Sequence, residues 1–346
     1  MDAVSLLKKM IEIPSFSREE ERCADLIEKY IEEKGYTASR LQNNVWTVAS
    51  GFDSSRPTLL LNSHIDTVRP VTGWTKDPFK PTEIDGKIYG LGSNDAGASV
   101  VSLLHTFFLL SQNNQAYNLI FAATAEEEVS GKNGTELLLK ELPKIDFAVV
   151  GEPTEMQLAV AEKGLMVLDC TAHGKAGHAA RNEGENAIYK ALQDIEWFRN
   201  YRFEKKSEFL GEVKMSVTQV NAGTQHNVVP DKCTFVVDIR SNELYSNQEI
   251  LKEIRKHVNC DPQPRSTRLS SSATPLDHPI VAKAKKMGRE IFGSPTLSDQ
   301  ALMPFPSVKI GPGKSSRSHS ADEFIEISEI EQAIEMYYEL LNNLTI

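Results

Sequence analysis

Two histidines and several carboxylates stand in short polar stretches that follow apolar runs. They are Asn62-Ser63-His64-Ile65-Asp66, Thr124-Ala125-Glu126-Glu127-Glu128, Gly151-Glu152-Pro153-Thr154, and His319 in a Gly/Pro/Ser-rich loop. Asp95 adds a carboxylate in Gly90-Leu91-Gly92-Ser93-Asn94-Asp95-Ala96-Gly97, just before an apolar helical stretch. Imidazole with carboxylate, and no thiolate, is the donor set of zinc or a similar borderline divalent ion. Three or four carboxylates in one pocket repel one another unless cations sit among them. Two divalent ions about 3.5–4 Å apart, sharing one carboxylate, neutralise that charge and polarise a water. One further carboxylate must stay off the metals to take the proton from that water. The run 126–128 supplies a ligand and a base from adjacent positions. Singly, each piece has a plainer reading. An HxD is usually structural, and an acidic run is usually a solvated helix start whose charges complement the dipole. Glu152 before Pro153 fits a turn, and His319 fits an exposed loop. The signal is their joint placement.

That placement follows from the elements. Short apolar runs at 58–61, 119–123, 147–150 and 307–310 read as buried strands, and 98–110 and 134–142 as helices between them. Strand, helix, strand in this rhythm predicts an α/β fold, a mainly parallel sheet flanked by helices. Ligands bind outside the carboxyl ends of such strands, where the histidines and carboxylates stand. A helix over 17–34 starts at a Ser17/Glu20 capping box and stops at Gly35. From about residue 162 the texture changes. Strands at 165–172, 214–220 and 233–240 alternate polar with apolar, and 185–199 is an amphipathic helix. The α/β texture resumes with helices at 279–292 and 328–341, the latter with a Ser328/Glu331 capping box. The expected organisation is a catalytic domain, 1–162 and 273–346, interrupted by an inserted α+β lid domain, 163–272.

Composition agrees with two globular domains: 346 residues, 40% hydrophobic and 25% charged. Lys plus Arg is 38 against Asp plus Glu 48, a net charge of -10, which argues against a nucleic-acid binder. The four cysteines lie far apart with no CxxC pair, so neither a thiolate zinc site nor a disulfide framework is expected. The N-terminus mixes Lys and Glu into its apolar pattern, unlike a signal peptide, and nothing approaches a membrane span. A soluble cytoplasmic protein is expected.

The five motifs SHIDTV, GSNDAG, ATAEEE, VVGEPT and SHSADEF, in this order, resemble the dinuclear zinc hydrolases that include acetylornithine deacetylase, succinyl-diaminopimelate desuccinylase, aminoacylase and glutamate carboxypeptidase. The resemblance spans nearly the whole chain and implies two divalent ions, zinc or alternatively cobalt. By motif, His64, Asp95 and Glu152 would hold one ion, and Asp95 would bridge to a second held by Glu128 and His319. Glu127 matches the general base, and Asp66 would orient His64. Gly177-His178-Ala179 resembles the lid motif whose histidine reaches a partner subunit's site, which implies a homodimer through the lid. Asn227 and Arg240 resemble lid residues that contact substrate, Arg240 by pairing with its carboxylate. Where many members carry Lys or Arg two residues after the bridging Asp, this chain has Gly97. The implied reaction is hydrolysis of a small N-acyl amino acid, nearest to N-acetylornithine deacetylation in arginine synthesis, with succinyl, citrulline and lysine variants close by. A dipeptidase or carboxypeptidase is the nearest rival, with Lys314 and Arg317 as candidate receivers of a substrate carboxylate. A non-catalytic metal- or partner-binding relic is the rival of another class. Among the other histidines, His105 is expected to pack within its apolar helix.

Overall fold

The apolar runs form strands buried along their whole length: Thr58–His64, Asn118–Thr124 and Phe147–Val150 have no residue open to solvent. Strands covered on both faces read as continuous apolar segments, because helices occupy each side of the sheet. These three strands and Ser307–Lys309 run parallel, in the order Asn118–Thr124, Thr58–His64, Phe147–Val150, Ser307–Lys309. They are the centre of a nine-stranded mixed sheet. An antiparallel pair, Ala38–Leu41 and Asn44–Val48, extends one side, and Leu158–Glu162 lies antiparallel to Ser307–Lys309 on the other. The helix Ala98–Ser111 is apolar almost all round and correspondingly buried. The C-terminal helix Ile327–Leu341 is tied down by Tyr337, whose buried hydroxyl donates to the Ile310 carbonyl at 2.5 Å.

This computed structural model describes residues 1–181 and 183–346, and its chain divides into two units. The first is Met1–Val160 with Ala273–Phe292 and Ser298–Ile346; the second is Ala161–Ser272 with Gly293–Leu297. In the second unit Lys214–Ala222, Lys232–Ser241, Gly164–His173 and Asp261–Pro264 form a four-stranded antiparallel sheet in that order. Burial alternates along Gly164–His173 and Lys232–Ser241, the signature of a sheet with one face in a core. That core takes Leu168, Phe235 and Val237 from the sheet with Phe198 and Ile254 from the helices Ala187–Asn200 and Asn247–His257.

Several local expectations are corrected. The second helix begins at Glu21 with Glu20 at its N-cap, but without a side-chain capping bond, so the Ser17/Glu20 capping box is absent. The C-terminal helix is capped by Glu326 and Glu329 instead of Ser328 and Glu331. The segment 279–292 splits into the helix Pro279–Lys286 and the strand Ile291–Ser294, with Gly288 at φ +73 between them. His105 packs as expected, against Tyr30 and Phe108 with ring centroids 5.9 Å from each; its Nε2 lies 2.8 Å from the Tyr30 hydroxyl, and burial pushes its pKa down to about 4. No helix among the described residues is long and apolar enough to cross a membrane.

Candidate active site

Strand register sets the level at which the chain leaves the sheet. His64 pairs with Thr124, Asn62 with Val150, and Val150 with Lys309. The loops that follow these strands therefore emerge along one edge, carrying His64, residues 126–128, Glu152 and His319. The short turn Ser93–Gly97 brings Asp95 to the same place.

His64 is 1% exposed, and three carboxylates face its Nε2: Asp95 at 3.2 Å, Glu152 at 3.8 Å and Glu127 at 3.9 Å. Its Nδ1 lies 2.9 Å from the Asp66 carbonyl and 3.4 Å from the Asp66 carboxylate. His319 Nε2 lies 3.0 Å from Glu128 and 3.6 Å from the second oxygen of Asp95. Asp95 thus turns one oxygen to each imidazole. Donor atoms of His64, Glu127 and Glu152, and of His64, Asp95 and Glu128, lie within 4.8 Å of one another. Such crowding is electrostatically unfavourable without cations. Burial, then repulsion from Asp95 and Glu128, pushes Glu152 up to about 8 against the pull of His64 and Lys309. Burial and the neighbouring Glu152 and Asp299 drive Glu127 well above the carboxylate range. The Glu128 hydrogen bond lifts His319 to about 9. Burial opposes charge on His64 as well, but its bonds to Asp66 and Asp95 overcome that and hold the ring protonated. Each group keeps a proton where an ion would relieve the same repulsion, so the donor set fits divalent cations.

Buried carboxylates outside the expected set brace this edge. Glu323, 2% exposed, accepts from the backbone N–H groups of Gly92 at 3.1 Å, Asn94 at 2.8 Å and Asp95 at 2.9 Å. Burial and the charge of Asp95 push it up to about 8. Asn94 joins the Asp95 turn to the His319 loop through Lys314 N–H at 3.0 Å, Lys314 C=O at 3.1 Å and Ser318 Oγ at 3.2 Å. Asp299 accepts from Thr124 Oγ1 at 2.8 Å, and burial pushes it up to about 6. Glu323 stands in the motif SADEF, so a sequence signal existed for it; Asp299 had none. Position 97 has no room for the basic residue that the resemblance led one to expect, because a Cβ there would meet Gly92 O at 2.5 Å and Leu7 Cδ1 at 2.7 Å. Replacing Glu323 by alanine orphans three buried N–H groups around Asp95 and weakens zinc binding about 10–100-fold. Calorimetric zinc titration checks this, and an unchanged affinity removes Glu323 from any role at the site.

Arg317 is committed elsewhere, to Glu329 at 2.6 Å and over the Phe324 ring at 4.3 Å, and Lys314 pairs with Glu155 at 3.1 Å. In the second unit, pairing of Gly177–His178 with Val228–Val229 sets exposed His178 beside Asn227, whose carbonyl accepts from Ala179 N–H at 3.0 Å. Arg240 is held bidentate by Asp238 at 2.9 and 3.1 Å.

Known proteins share this arrangement of chain. The succinyl-diaminopimelate desuccinylase of Delftia acidovorans is 26% identical over 99% of this chain and 97% of its own. The acetylornithine deacetylase of Proteus mirabilis is 27% identical over 98% and 96%. The crystal structure of a dinuclear metal-binding M20 peptidase from Bacillus subtilis superposes with a TM-score of 0.74 at 18% identity, covering 99% of this chain and 98% of that one. The sequence profile of peptidase family M20/M25/M40 matches residues 60–343, and this chain belongs to that family of metal-dependent amidohydrolases and peptidases.

Proposed function

We propose that the protein hydrolyses the amide bond of a small N-acyl amino acid, with N-acetylornithine the leading substrate and N-succinylornithine, N-acetylcitrulline and N-acetyllysine close variants. The observation that carries this reading is the crowding of four half-buried carboxylates, Asp95, Glu127, Glu128 and Glu152, between two imidazoles. The desuccinylase and deacetylase names of the relatives support the substrate class. His64, Asp95 and Glu152 would hold one zinc or cobalt ion, and Asp95, Glu128 and His319 a second, with Asp95 shared between them. When bound, the ions supply Lewis acidity toward the acyl carbonyl and toward water.

The chain's own residues do the rest. Glu127 takes a proton from water as its oxygen adds to the acyl carbon. Glu127 then returns that proton to the nitrogen as the C–N bond breaks, leaving a carboxylic acid and a free amine. Asp66 fixes the His64 tautomer through its carbonyl and carboxylate and steadies the Glu127 backbone. The second unit acts as lid and dimerisation domain. From it His178 of a second copy donates to the developing oxyanion, while Asn227 and Arg240 receive the substrate, Arg240 its carboxylate. The four cysteines are free and buried, which suits a reducing cytoplasm.

A substrate panel on metal-replete protein tests this reading. N-acyl amino acids are expected to exceed simple dipeptides in kcat/KM by about 100-fold or more. Faster cleavage of dipeptides makes the protein a peptidase; no cleavage of any of these ends the hydrolase reading for this substrate class.

A further inference from the structure

We infer that residues 15–20, which precede the part of the chain matched by the family profile, form a brace in which Ser17 and Glu20 are positioning residues for the base Glu127. The inference rests on the functional reading above only in naming Glu127 as the base; the contacts stand without it. Three consecutive backbone N–H groups, of Glu126, Glu127 and Glu128, each end on a buried carboxylate. Glu20 Oε1 accepts from Glu126 at 3.2 Å; Asp66 accepts from Glu127 at 3.0 Å and from Glu128 at 3.1 Å. Both carboxylates are 0% exposed.

Each carboxylate is in turn oriented from this segment or its neighbours. Ser17 Oγ donates to Asp66 Oδ2 at 2.6 Å, the same oxygen that receives the Glu128 N–H. Glu20 takes Arg18 N–H on Oε1 at 2.5 Å and Asn43 Nδ2 on Oε2 at 2.7 Å. The segment also grips the His64 loop. Ser15 Oγ donates to the Ile65 carbonyl at 2.8 Å, and Thr67 N–H donates to the Ser15 carbonyl at 2.7 Å. One six-residue stretch therefore couples the loop carrying His64 and Asp66 to the turn carrying Glu127 and Glu128.

The turn needs such a brace. Glu126 has φ +57, a left-handed conformation that a glutamate adopts only when its surroundings over-determine it. Its own carboxylate adds to the hold by accepting Asn133 Nδ2 at 2.9 Å and Asn133 N–H at 3.3 Å. A base acting on water must be placed to within about 0.5 Å, and a 1 Å error costs about 100-fold in rate. The hydrogen bonds of Ser17 and Glu20 go to Asp66, Asn43 and backbone N–H groups and not to either imidazole, so they act on Glu127 through the backbone they hold.

The test uses the full chain with Ser17→Ala, Ser17→Thr, Glu20→Ala and Glu20→Gln. Amide hydrogen exchange in the metal-free protein reads the brace directly. Ser17→Ala should speed exchange at Glu127 and Glu128, and Glu20→Ala at Glu126; Ser17→Thr and Glu20→Gln, which keep an oxygen in place, should restore protection. In metal-replete protein Ser17→Ala should lower kcat about 10–100-fold with KM and metal content within about twofold, and Ser17→Thr should recover most of it. Unchanged exchange at these amides overturns the brace, as does a kcat unaltered while only Tm falls. Should Glu20→Ala not fold, Ser17→Ala still decides. Wild-type protein inactive on the whole panel, or Glu127→Ala as active as wild type, defeats the functional reading instead, while the exchange data still report on the brace.

Discussion

Replacing Glu127 by alanine lowers turnover by about 10²–10⁴-fold while the protein still takes up its two metal ions. The expectation combines a position and an environment. The Glu127 backbone N–H is fixed by Asp66 at 3.0 Å, and its carboxylate ends 3.9 Å from His64 Nε2, inside the ring of donors. Burial raises its proton affinity in the metal-free protein, where it holds a proton; beside bound cations it would ionise and stand as a carboxylate placed to receive the proton of water and give it up again. Alanine removes that acceptor but leaves His64, Asp95, Glu128, Glu152 and His319 where they are. Glu127→Gln should lose nearly as much, since it keeps the volume and hydrogen-bonding reach but cannot take the proton. Rates measured on the best substrate of the panel, with metal content measured on the same samples, check both halves. A near-normal rate moves the base elsewhere; a loss of metal in proportion to activity makes Glu127 a ligand.

The α/β fold and the candidate edge were legible because they depend on strong local signals. Runs such as 58–61 and 119–123 are short and apolar without alternation, which among strands only one covered on both faces tolerates, and the residues after them are the ones the sheet must present. His64, Glu127 and Glu152 follow from that rule almost mechanically. The brace was illegible for the opposite reason. Ser17 and Glu20 have the spacing of a capping box, but their partners are Asp66 and the Glu126 N–H, about 50 and 106 positions away in the chain. A carboxylate that serves distant groups leaves no periodicity behind it; Glu323, on backbone N–H groups, and Asp299, on the Thr124 hydroxyl, are alike in this. The strand Ile291–Ser294 was hidden by the helical spacing of apolar residues through 279–292, although Gly288 stood ready to end the helix. At Glu326 and Glu329 the capping geometry is simply displaced by two residues from the better-looking serine.

Metal-free protein should lose stability as the pH rises from about 6.5 to 8, and loading with zinc or cobalt should reduce or reverse that loss. Burial pushes Glu152 and Glu323 up to about 8, from an ordinary value of 4.5. Above pH 6.5 the unfolded chain has shed these protons and the folded chain still holds them, so stability falls with rising pH, by about 1.4 kcal/mol per unit for each proton fully retained. His319, lifted to about 9 by Glu128, acts with the same sign. His105 and His278 are lowered by burial and act with the opposite sign, offsetting part of this loss near pH 6.5, where the unfolded histidines are still about half protonated, and fading toward pH 8. Asp66 and Asp95 are held low by their bonds to His64 despite burial, and act only in acid. A divalent ion needs these carboxylates ionised and the imidazoles neutral, so its uptake expels protons and its affinity grows with pH. Thermal unfolding across the window, with and without metal, tests the sign; calorimetry in buffers of different ionisation enthalpy counts the protons. A flat metal-free profile with no proton release on loading would mean that the protons at this edge and the ions do not compete for the same oxygens and nitrogens.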